Sequence, residues 1–254
     1  MGTSANNPGP NPRSPLVPPH ADSTPDEPVP PRPEHGLRKF RTSLSKWVSS
    51  GGGRQALPAA VANYVGGALG GASTGTRRFG AATNASAAAI AGMAGLGGLG
   101  GEQTGDLQAQ LSEAIGQPIE VAASIIARVV APDNSEGDHV IAVIQDSIIE
   151  ACEDADEFEL DSINEDFLRE VLIRSLIEMI YHDLAERIGG ASLDKAESPS
   201  ERQARENELH DFISETVEQQ LATTPSDEYP LSDQNGIRDF QLTCIERVLE
   251  SWEE

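Results

Sequence analysis

The chain has 254 residues and a formal net charge of −23, unevenly spread: residues 1–101 carry nine Lys/Arg and four Asp/Glu, and residues 102–254 carry nine and thirty-seven. A second part with a net charge of −28 repels a nucleic-acid backbone, which excludes direct nucleic-acid binding outside small basic clusters. Two cysteines far apart, Cys152 and Cys244, supply neither a disulfide framework nor a CxxC metal site and fit a reducing cytosol.

The chain opens on Met1-Gly2-Thr3-Ser4, and eleven of its seventeen prolines fall between Pro8 and Pro33. Proline cannot propagate a helix or donate to a sheet ladder, and little apolar surface is present to bury. Residues 1–36 are therefore expected to be a disordered Pro-rich arm. Its start lacks the basic and apolar regions of a secretory signal, so export is not expected and a cytoplasmic location is. Asn6 stands where a myristoylation site wants Ser or Thr.

The distinctive group of such an arm is its free end. A small second residue favours removal of Met1, leaving Gly2 with an amine that titrates near pH ~8 and no side chain to crowd an electrophile. Thirty-odd flexible residues reach about 30 Å, enough to enter another protein's active site while the body stays outside.

Residues 37–101 form a second region of basic amphipathic helices and a Gly/Ala-rich segment. Leu37, Phe40, Leu44, Trp47 and Val48 share one helical stripe, with Arg38, Arg41 and Lys46 elsewhere. This basic helix suits an acidic surface, on its own chain or on another subunit. A short helix from about Gln55 to Leu69 follows. Phe79 to Gly101 is uncharged and long enough to span a bilayer, but alanine and glycine add little hydropathy and Thr83, Asn84 and Ser86 oppose insertion. A closely packed or mobile segment is the expectation here. The G-x-G-x-x-G at Gly95, Gly97 and Gly100 follows a helical pattern instead of a strand, so it is a match of composition.

Residues 102–254 read as an acidic α-helical domain. Leu107, Leu111, Ala114 and Ile115 mark one helix, Ile119 to Val130 a second, and Val140 to Cys152 a third. Ser162 and Glu165 are placed as a capping box ahead of a core helix carrying Phe167, Val171, Leu172, Leu176, Met179, Ile180, Leu184 and Ile188, ended by Gly189-Gly190. Ser198, Pro199 and Glu201 begin another helix through Leu221, and Ile237 to Trp252 the last. No segment alternates like a strand. The fold class is all-α: a bundle-like helical body preceded by the arm and the Gly/Ala-rich segment.

No catalytic constellation is evident. His139, His182 and His210 lie near helix ends or polar faces without H-E-x-x-H spacing, and Cys244 sits on an apolar stripe. Glu150, Glu153, Asp154, Asp156, Glu157 and Glu159 form an acidic patch with no EF-hand glycine. A non-enzymatic protein with no cofactor or metal site of its own is expected.

Met1-Gly2-Thr3-Ser4, the Pro15-Leu16-Val17-Pro18-Pro19 stretch, the helix around Arg38-Lys39-Phe40, Arg77-Arg78-Phe79 in the Gly/Ala-rich middle and the acidic helical end together resemble the B components of bacterial Qat antiviral defence systems, the QatB family. The resemblance implies partners: a QueC-like enzyme (QatC) that uses ATP and zinc, a P-loop ATPase (QatA) and a TatD-like nuclease (QatD). It implies that Gly2 is the acceptor for amide conjugation of a 7-deazaguanine. Thr3 and Ser4 would then be read in the QueC-like active site, and Arg38, Lys39, Phe40, Arg77 and Arg78 would serve partner recognition. A scaffold without modification, and an effector inserting Phe79 to Gly101 into a membrane, remain as alternatives.

Overall fold

The computed structural model describes residues 29–100, 105–152 and 155–253. These residues form an all-α body, with no strand among them. In chain order the helices are α1 (Glu34–Ser49), α2 (Leu57–Asn63), α3 (Ala72–Arg77), α4 (Gly80–Leu96), α5 (Gly105–Leu111), α6 (Ile119–Val130), α7 (Gly137–Ala151), α8 (Glu165–Tyr181), α9 (Gly190–Leu193), α10 (Pro199–Leu221) and α11 (Gln234–Glu253). Two of them run on into π-helical turns, α2 through Tyr64–Leu69 and α8 through His182–Ile188.

The helix at the centre is α4. Alanine occupies every face of it, so it has no apolar stripe, yet Ala82, Ala85, Ile90, Met93 and Ala94 are all buried and Asn84 alone in this helix is exposed. Small side chains let neighbouring helices approach closely, and α5, α6, α7, α8 and α11 all pack on it. Its hydroxyls are accommodated inside: Thr83 donates to the Phe79 carbonyl at 3.1 Å, and Gln241 of α11 donates at 2.8 Å to both Ser86 of α4 and Ser175 of α8. Of the polar residues that oppose membrane insertion, Ser86 thus helps to pin three helices together. No helix among the described residues is long and apolar enough to cross a membrane.

The composition change near residue 101 does not divide two cores, because the buried cluster runs from Phe40 of α1 to Trp252 of α11. The apolar stripe of α1 is internal: Phe40, Leu44, Trp47 and Val48 are buried, worth roughly 1.5–3 kcal/mol for each large apolar side chain. Gly36 makes this contact possible, since a Cβ there would lie 1.9 Å from the Gly67 carbonyl oxygen. The helix starts at Glu34, three residues before the expected Leu37, so the expected arm overruns its first turn.

Two start signals differ in outcome. Ser198 caps α10 as its sequence suggests, accepting from Glu201 N–H at 3.1 Å, with Pro199 in the first turn and Glu201 accepting in return from Glu197 N–H at 2.8 Å. The expected box at Ser162 is not formed. Asn164 caps α8 by accepting from Phe167 N–H at 2.9 Å, while Ser162 lies in a 3₁₀ turn and donates to the Glu159 carbonyl. Gly95 and Gly97 belong to the end of α4, and Gly97 abuts the Ile163 backbone, so the glycine pattern serves packing.

Candidate functional site

The site that the described residues build around the sequence expectations is the root of the arm. Gly2, Thr3 and Ser4, together with the Pro-rich stretch through Pro28, lie outside the described residues. Description begins at Val29, and the short stretch before α1 is held at two points. Arg78 donates from Nη2 to the Pro30 carbonyl at 2.8 Å and from Nε to the Leu69 carbonyl at 3.2 Å. Arg32 Nη2 donates to Asp183 Oδ1 at 2.5 Å, with the Arg32 side chain 15% exposed and Asp183 3%.

The acceptor side of that second contact is built by the two π-helical turns. Tyr64 opens one and donates its hydroxyl to Asp183 Oδ2 at 2.8 Å, while Asp183 is the second residue of the other. The wider turn carries one extra residue per hydrogen-bonded ring, which re-aims side chains that a regular α-helix would place elsewhere. Tyr64 is fixed in turn by its ring contacts, tilted against Phe40 at 5.6 Å and edge-on to Trp252 at 6.5 Å. A buried carboxylate shared by a guanidinium and a phenol is a charge-assisted anchor. It ties residue 32 to residue 183.

Beside this root, α1 turns a basic strip outward. Arg38 and Lys39 are exposed, and Arg38 and Thr42 stand on the ridge between two shallow cavities. One, of about 430 Å³, is lined by Arg41 and Lys195 among others; the second, of about 370 Å³, by His35, Lys39 and Lys46. On a chain with an acidic second half, such a strip is the surface suited to an acidic partner. Phe40 is not part of it: its ring is fully buried against Tyr64. Arg77 is half-buried on the last turn of α3, while Arg78 is spent on the arm root.

The remaining candidates separate. Burial pushes the Cys244 thiol up to about 12 and that of Cys152 to about 11, so both are neutral thiols at neutral pH. Among the described residues, the members of the acidic patch take different partners. Glu153 and Asp154 lie outside the described residues, and the backbone of Asp156, Glu157 and Phe158 pairs with residues 116–119. Glu150 faces Arg174 and His210 instead. Sequence reasoning missed Arg32, Tyr64 and Asp183; their one signal was an arginine where the prolines end.

In comparisons with known proteins, a family model described as Qat anti-phage system associated protein QatB matches residues 70–251. No curated protein and no solved structure matches the chain.

Proposed function

Because this chain belongs to the QatB family and is thereby a component of anti-phage defence, we propose that it serves there as a protein substrate, with the Gly2 amine, freed by removal of Met1, as the acceptor. A QueC-like partner adenylates the carboxylate of a 7-carboxy-7-deazaguanine: the carboxylate attacks the α-phosphate of ATP and pyrophosphate leaves. The neutral Gly2 amine attacks the acyl carbon, the new C–N amide bond forms, the acyl–phosphate bond breaks, and AMP leaves with loss of a proton from the amine. ATP and zinc belong to the partner.

The observation that carries this reading is the pinned arm root. Arg32 on Asp183 and Pro30 on Arg78 fix the point from which residues 2–28 depart, next to the exposed Arg38 and Lys39. A partner docked on that strip would meet the arm at high effective concentration, because the arm is covalently joined to the root beside it. Thr3 and Ser4 are small enough to follow Gly2 into a narrow channel.

Gly2→Pro and a one-domain N-terminal extension test it directly. Both should abolish conjugation and phage protection while circular dichroism shows an intact helical body. Conjugation and protection that survive both changes would overturn the proposal. The exposed basic strip also favours a second reading, an adaptor that assembles the defence complex without being modified. Deleting residues 2–28 distinguishes the two, because an adaptor keeps both complex formation and protection.

A further inference from the structure

Three helices each carry two ligand-type side chains four residues apart: Asp146 and Glu150 on α7, Glu178 and His182 at the end of α8, Glu206 and His210 on α10. That spacing puts each pair on one helix face, and α8 packs against both α7 and α10. The ligand atoms of Asp146, Glu178 and His182 consequently lie within 4.8 Å of one another, as do those of Glu150, Glu178 and His210. Glu178, only 3% exposed, belongs to both groups: Oε1 lies 2.6 Å from His210 Nε2, and Oε2 lies 3.5 Å from His182 Nε2.

A carboxylate outside the two triads, that of Glu186, orients one of the imidazoles. His182 is 4% exposed, and its Nδ1 lies 2.7 Å from Glu186 Oε2 while its Nε2 lies 2.8 Å from Asp146 Oδ2. The contact from Nδ1 to Glu186 fixes the ring and turns Nε2 toward Asp146 and Glu178, the relation by which an outer carboxylate orients an imidazole whose other nitrogen, once deprotonated, binds a metal. Access is open. Two cavities of about 390 Å³ each meet at Glu150 and His210, one bordered by Ile119 and Cys152, the other by Tyr181 and Asn207. Arg174 is the competing cation, but its closer bond is to Glu170 at 2.7 Å, against 3.4 Å to Glu150.

We propose that this cluster is a binding site for a divalent first-row transition cation such as zinc or manganese, with Glu178 as the carboxylate shared between an Asp146–His182 half-site and a Glu150–His210 half-site. Imidazole nitrogens with carboxylates suit such ions better than magnesium or calcium, which take oxygen ligands alone. Binding clamps α7, α8 and α10 together. The site is independent of the conjugation reading.

The test uses the full chain, stripped with a chelator, desalted and titrated with Zn²⁺ and separately Mn²⁺, with bound metal read by plasma mass spectrometry and affinity by calorimetry. Stoichiometric uptake of at least one ion per chain is expected, abolished in Glu178→Gln and unaffected in Cys152→Ser. Glu186→Gln, which alters only an exposed carboxylate behind His182, keeps the test open should Glu178→Gln not fold; it should weaken binding about 10–100-fold. Absence of stoichiometric uptake by the folded parent overturns the proposal. So does uptake that folded Glu178→Gln and Glu186→Gln leave unchanged, or that Cys152→Ser removes.

Discussion

Arg32 and Asp183, 151 residues apart in sequence, form a nearly buried ion pair that ends the Pro-rich stretch on the helical body. Removing one member of such a pair leaves an uncompensated buried charge, a far larger effect than losing a surface pair. Arg32→Ala should therefore destabilise the protein by about 3 kcal/mol in urea denaturation, at the lower end for buried pairs because Tyr64 still donates to Asp183. A change under about 0.5 kcal/mol would place the pair among ordinary surface contacts.

Gly36 is the point where α1 meets the π-helical turn after α2. A Cβ there would sit 1.9 Å from the Gly67 carbonyl oxygen and 2.8 Å from its Cα, atoms of backbone that cannot swing aside. Gly36→Ala is expected to cost about 1–3 kcal/mol through overpacking. Gly66→Ala, with no heavy atom within 4 Å of its Cβ position, should cost much less and serves as the control.

Gln241 is fully buried and links α11 to α4 and α8 through Ser86 and Ser175. Gln241→Ala removes both bonds and opens a cavity, for an expected loss of about 2–3 kcal/mol at the thermal or urea midpoint. Ser175 keeps its bond to the Leu172 carbonyl, which limits the effect of losing Gln241.

These positions show what was legible in the sequence. The limits of α6 and the cap of α10 follow from local signals, a proline after Val130 and a Ser-Pro-x-Glu start, and the folded protein keeps both. The stripe of α1 was equally plain, because its large residues recur at helical spacing. The central place of α4 was not: alanine on all faces gives no period, and only the tertiary fold says which helix is surrounded. At α8 the spacing to Glu165 pointed to Ser162 as the cap, but Ser162 is taken up in the 3₁₀ turn Leu160–Ser162 and Asn164 caps the helix. The His182 and His210 cluster was half legible. Each four-residue spacing can be read on its own helix, but nothing local says that α7, α8 and α10 bring those faces together. Arg32 read as part of a tail since its partner lies far along the chain.

His182 carries a pH signature. Burial alone would lower its pKa, but the hydrogen bonds that its ring N–H groups donate to Asp146 and Glu186 and the nearby charges of Glu186 and Glu178 outweigh it and hold the imidazolium up to about 9. His139, Tyr181 and His210 pack around it, and Glu150, Glu206 and Asp211 line the same cavity as Asp146 and Glu178. An unfolded histidine titrates near 6.5, so the folded state binds this proton more tightly. The resulting stability is complete below about pH 6.5 and is lost as pH rises through about 9, up to roughly 3 kcal/mol. Urea midpoints of chelator-treated protein should fall across that window, and His182→Gln should flatten the fall.

The most direct test of the central claim is the intact mass and the N-terminal peptide of the protein, purified with and without its QueC-like partner. The account predicts loss of Met1 in both samples and a mass increase confined to the Gly2 peptide only when the partner is present. An unmodified Gly2 in both samples would contradict it and leave the arm a linker on an assembling scaffold.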